Sequence, residues 1–96
     1  MLSGNINDQF HFDKIGKAAL YKDERFHVML LNIPEGDELK PHASKTDAFC
    51  IVQKGEAEFI LEGVKSYLKK GDLFSFKAKQ EHSVKALTDF SMLIVK

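Results

Sequence analysis

The run DAFCIVQKGEAEFILEGVKSYLKKGDLFSF, residues 47–76, decides the fold. It holds four short apolar stretches, Asp47 to Gln53, Glu56 to Leu61, Lys65 to Leu68 and Leu73 to Phe76. Lys54-Gly55, Glu62-Gly63 and Lys70-Gly71-Asp72 interrupt them, each placing a glycine where a chain reverses. Each stretch is too short for a stable helix and rich in the residues that suit a pleated, half-buried surface. Short strands with turn signals every eight to twelve residues predict an all-β sandwich or barrel of antiparallel strands.

The same grammar extends outward. Phe26 to Ile33 reads as a strand stopped by Pro34-Glu35-Gly36, and Leu39-Lys40 as a short extended piece before Pro41. Ser83 to Leu87 and Phe90 to Val95 close the series. The first 24 residues read differently. Gln9 to Phe12 could form a short strand, and Lys14 to Tyr21 carries Gly16, so any helix there is weak. The chain is thus one domain, 1–96, with a barrel over 25–96 and an N-terminal segment, 1–24, packing on the barrel or on a dimer partner.

Several strands are apolar on both faces. Phe26, Val28 and Leu30 oppose Met29, Leu31 and Ile33; Ala48, Cys50 and Val52 oppose Phe49 and Ile51; Phe90, Met92 and Ile94 oppose Leu93 and Val95. A barrel has one interior, so the second face needs a cover. A homodimer is expected, with Met29, Leu31, Phe49 or Ile51 in the contact.

Lys plus Arg (14) equals Asp plus Glu (14), which argues against a nucleic-acid or membrane-surface binder. Lys65, Lys69, Lys70, Lys77, Lys79 and Lys85 crowd the C-terminal half and read as solvated lysines on turns and edges. The single cysteine, Cys50, excludes an internal disulfide and a zinc-finger pattern. The N-terminus lacks signal-peptide character, and no apolar run is long enough to cross a bilayer, so the expected location is the cytoplasm.

The glycines and histidines carry a second pattern. Gly36 precedes His42 by five intervening residues, Gly55 follows, and Gly71 precedes His82. This resembles the cupin family, whose first motif is Gly, five residues, His-x-His, three residues, Glu, six residues, Gly. Its second is Gly, five residues, Pro-x-Gly, two residues, His, three residues, Asn. Both fit without a gap, over roughly Arg25 to Lys96, and imply a jelly-roll barrel. In the family, three histidines and the glutamate hold a divalent metal. Here the histidine positions carry His42, Ser44 and His82, and the glutamate position carries Ala48. Lys77, Lys79 and Ala86 replace the second motif's proline, glycine and asparagine.

Two imidazoles without a carboxylate make a poor divalent site. The expectation is no firmly held cofactor, at most a weakly bound divalent metal on His42 and His82. The leading functional reading is a small-molecule pocket inside the barrel, formed by His42, Ser44, Ala48, Cys50 and His82 with apolar walls from Val52, Phe59 and Phe76. The resemblance leaves two alternatives. One is a metal-dependent enzyme of dioxygenase or isomerase type using His42 and His82. The other is a non-catalytic structural or regulatory dimer. Whether a reaction is catalysed, and which ligand is bound, stay open at this level.

Overall fold

A computed structural model describes all residues, Met1 to Lys96. After a single 3-10 turn at Ile6–Gln9, nine strands follow: β1 (Gly16–Lys22), β2 (His27–Ile33), β3 (Glu38–Ala43), β4 (Ala48–Lys54), β5 (Glu56–Leu61), β6 (Val64–Lys69), β7 (Leu73–Phe76), β8 (Glu81–Ala86) and β9 (Phe90–Val95). They form two antiparallel sheets, in the orders β1-β2-β9-β4-β7 and β3-β8-β5-β6. Consecutive strands repeatedly switch sheets, the jelly-roll arrangement that the motif resemblance implied. No helix is long and apolar enough to cross a membrane.

The N-terminal region holds a strand where none was expected. Gln9 to Phe12 is not a strand, and Lys14 to Tyr21 is not a helix: Gly16–Lys22 is a strand at the edge of the larger sheet. It pairs with β2 from Gly16↔Asn32 to Lys22↔His27, with a register shift between Ala19 and Tyr21. The weak local preference of this stretch yields to the open hydrogen-bonding edge that β2 offers. Pro41, expected to end an extended piece, lies within β3 instead. That strand is a sheet edge, and its pairing with β8 is irregular between Leu39 and His42, so the missing N–H breaks no regular ladder. The β5–β6 hairpin turns on Glu62-Gly63, both at positive φ (48° and 81°), the geometry of a tight type I′ turn.

Alternation sorts the larger sheet into rows. Ala19, Met29, Ile94, Cys50 and Phe74 form one inward row, and Lys17, Leu31, Met92 and Val52 the next. Of these, the residues of β2, β4, β7 and β9 close a filled core with Ile33, Phe90 and, from the smaller sheet, Ala57, Phe59, Val84 and Ala86, while Lys17 and Ala19 at the sheet edge stay exposed. Met29 and Leu31 therefore face the interior, and the expectation that they contribute to a dimer contact is corrected. Strand parity separates the two faces but leaves open which is the inner one; the position of the second sheet decides it.

The outward rows are Tyr21, Val28, Val95, Phe49, Ser75 and Ala18, Leu30, Leu93, Ile51, Leu73. Beside them lies a polar row in which buried Ser91 donates to Asn32 Oδ1 (2.7 Å) and Asn32 Nδ2 donates to the Gln9 carbonyl (2.7 Å). The N-terminal segment thus lies over this part of the outer face. Lys54 Nζ sits 5.8 and 5.0 Å from the centres of the Phe10 and Phe12 rings, which extends the same cover. Phe49 and Leu73 remain 43% and 65% exposed on the uncovered rows.

Candidate functional site

One end of the barrel collects the candidate residues. His42 on β3 and His82 on β8 are direct cross-strand partners, so their side chains share the inner face. Their ring centroids lie 4.4 Å apart. Each ring is pinned by its own backbone. His42 Nδ1 is 3.0 Å from the Lys40 carbonyl, and His82 Nδ1 is 2.9 Å from the Gln80 carbonyl. A nitrogen facing a carbonyl must carry the proton, so Nδ1 donates in both rings and Nε2 is left for a ligand. His42 is exposed at the mouth, whereas His82 is 5% exposed and stacks on Phe76 at 4.0 Å between centroids. Burial, ahead of the other influences, pushes the His82 imidazole below its ordinary value, and the charges of His42 and Lys96 act the same way.

A cavity of about 40 Å³ opens at this end, lined by His42, Ser44, Phe76 and His82 together with Lys17, Leu31, Leu39, Val84, Met92, Ile94 and Lys96. It shares Ser44 and Lys96 with a wider polar vestibule of about 470 Å³, formed by Asp23 to His27 and Ala43 to Thr46. Asp23 shapes one wall of that vestibule. Its Oδ1 accepts from the Arg25 and Phe26 amides, and its Oδ2 from the Arg25 guanidinium and the Tyr21 hydroxyl. The bonds from Arg25, backbone first, hold the Asp23 carboxyl down at about 2. Ser44 is engaged within its own loop, donating from Oγ to the Thr46 carbonyl at 3.1 Å.

The other residues of the expected pocket lie elsewhere. Ala48, Cys50 and Val52 are buried in the core and line neither cavity. Cys50 is wholly buried, burial pushes its thiol up to about 12, and it offers no exposed thiolate to either cavity. Phe59 lies between the histidine end and a cleft of about 530 Å³ that opens between the sheet edges β6 and β7, with Leu61, Val64, Leu68, Leu73 and Phe74. Two charged residues that reach the histidine cavity were not singled out from the sequence, Lys17 and Lys96. Lys96 was legible: it continues the inward parity of Met92 and Ile94. Lys17 was not, because its strand was not recognised.

The donor set does not fit a tightly held divalent metal. No three His, Cys, Asp or Glu side chains converge anywhere in the chain. One residue beyond the Phe49↔Val95 pair, the position that carries glutamate in the cupin motif, Ala48, comes opposite Lys96. Continued by one residue, that register sets the backbone of a lysine across from the place where the family has its carboxylate.

The cupin domain family matches residues 29–96, more than half of the chain. The chain is a cupin. Solved structures agree on the fold. An RmlC-like cupin from Desulfovibrio desulfuricans superposes with a TM-score of 0.86 at 24% identity, covering 99% of this chain and 94% of that one. The SPY1581 protein of Streptococcus pyogenes, of unknown function, gives 0.85 at 20% identity over 98% and 84%. KdgF from Halomonas gives 0.82 at 23% over 99% and 92%. At these identities the likeness speaks to the fold of this cupin alone. No curated protein sequence matches it.

Proposed function

We propose that this cupin is a small-molecule binding domain whose site is the His42–His82 end of the barrel, with no firmly held divalent metal. One observation carries the reading. The two imidazoles present free Nε2 atoms to a cavity whose only other ionisable lining residues are Lys17 and Lys96. Ammonium groups repel a divalent cation and supply hydrogen-bond donors to a ligand instead. The filled core leaves the ligand its head in the small cavity and its body in the vestibule. A metal-dependent enzyme would need a third ligand, and Cys50, the nearest candidate by sequence, is enclosed in the core and does not line the histidine cavity.

Purified protein dialysed against metal-free buffer is therefore expected to retain less than about 0.1 divalent metal per chain by elemental analysis, since two-imidazole sites hold metal weakly. Stoichiometric metal that disappears on His42→Ala would overturn this reading and favour the enzyme.

The uncovered outer rows support a homodimer through Val28, Phe49, Ile51, Leu73, Leu93 and Val95. These side chains adjoin one another across four strands, Phe49 and Leu73 exposed and the other four half-buried. Sedimentation equilibrium at tens of micromolar, a range in which stable dimers persist, is expected to give the dimer mass. Phe49→Lys is expected to give the monomer mass with an unchanged circular dichroism spectrum. A monomer in the unmodified protein would sink the proposal.

A further inference from the structure

We infer that the ligand of this site is a small organic acid, its carboxylate held by the Lys17 and Lys96 ammonium groups and its body lying in the vestibule. The inference rests on the His42–His82 end being the binding site, and names the chemistry that end selects. No aspartate or glutamate lines the inner cavity. Among the charges around the combined space, Arg25 is already neutralised by Asp23 at 3.0 Å. Lys17, Lys45 and Lys96 take part in no ion pair. Lys17 reaches the cavity from the edge strand β1, opposite Leu31 on the inner face, and Lys96 from the end of β9. Two lysines from separate strands thus border one apolar-walled cavity that no acidic side chain lines, and Glu24 is the one unpaired carboxylate side chain of the vestibule beyond it. An anionic ligand supplies the missing charge, and the low-dielectric walls of Leu31, Val84, Met92 and Ile94 strengthen the attraction.

Size and donor geometry narrow the class. A space of about 40 Å³ takes a planar carboxylate but leaves little for a larger group. Phosphate sites usually surround a tetrahedral group with backbone N–H groups or a helix terminus. Here most of the wall is hydrocarbon side chain. The vestibule of about 470 Å³ accommodates the remainder of a small metabolite. A neutral imidazole Nε2 accepts a hydrogen bond, so a hydroxyl near the carboxylate would complete the recognition.

The test is a titration of the isotope-labelled protein with acetate, lactate and benzoate, with their neutral amides, and with inorganic phosphate at constant ionic strength. The His42 and His82 ring resonances are followed. At least one acid is expected to shift both rings saturably, and its amide to bind at least tenfold more weakly, in line with the loss of a charge-assisted contact. Lys17→Met and Lys96→Met are each expected to weaken the acid about tenfold and the amide by much less, since only the acid loses a charge-assisted contact, and Lys17→Arg to retain binding. An amide that binds as tightly as its acid overturns the carboxylate inference and leaves the binding site standing. Phosphate binding tighter than every acid overturns it likewise. Should no probe move either ring, the inference and the binding reading fall together.

Discussion

Gly55→Ala is expected to destabilise the protein by roughly 3–5 kcal/mol, because it combines left-handed backbone strain with overpacking against main chain. Gly55 closes the β4 strand at φ +77°, a conformation that costs an L-residue with a Cβ. A Cβ there would stand 2.0 Å from the Asp89 carbonyl oxygen and 2.8 Å from Thr88 Oγ1. Neither atom is free to move. Thr88 Oγ1 accepts from the Glu56 amide at 3.0 Å, and Asp89 Oδ1 accepts from the Glu35 amide at 2.9 Å. The β4–β5 and β8–β9 turns are thus bound face to face, and a methyl group would prise them apart. Against the marginal stability of a domain this size, the loss should lower Tm by roughly 15–25 °C in a thermal melt. Gly63→Ala is the control. Gly63 has a similar φ of 81° but open space around a Cβ, so only the backbone term of roughly 1–2 kcal/mol applies. Equal Tm losses in the two variants would show that the close approach at Gly55 is not what requires glycine.

Ser44→His with Ala48→Glu is expected to raise zinc affinity at least about a hundredfold, because it returns a third imidazole and a carboxylate to the motif positions. The gain should be held back by Lys96, which stands opposite residue 48 and opposes the incoming cation. Adding Lys96→Met should therefore tighten zinc by about another tenfold. Stability should move the other way in chelator. Ala48 is 4% exposed, so a glutamate there is buried. With Lys96 as partner the cost should stay at roughly 1–3 kcal/mol, and without it reach roughly 3–5 kcal/mol, since an unpaired buried charge is left. Saturating zinc should restore most of the loss in both variants. Calorimetric titration and melts with and without metal check the order. A triple variant no tighter for zinc than the double one would remove Lys96 from the account of why this cupin lacks a firm metal site.

The order and nature of most strands were legible in the sequence, because short apolar runs between glycine-bearing turns have few ways to be buried. The ends of β5, β7 and β9 agree with the reading, and β2, β4, β6 and β8 differ by one or two residues. The motif spacing likewise placed His42 and His82 together, since two histidines on neighbouring strands of one barrel end must meet if the register holds. Three things were beyond it. The strand at Gly16–Lys22 exists because β2 has an unpaired edge, a fact of the assembled sheet rather than of local propensity. Which face of β2 is inside follows from where the second sheet lies, so Met29 and Leu31 could not be told from Val28 and Leu30 by alternation. The character of the site depends on both. The sequence shows that a carboxylate is missing at Ala48. Only the fold brings Lys17 of β1 and Lys96 after β9 to the cavity of the histidine pair, because charges distant in the chain acquire a joint field only when they reach one cavity.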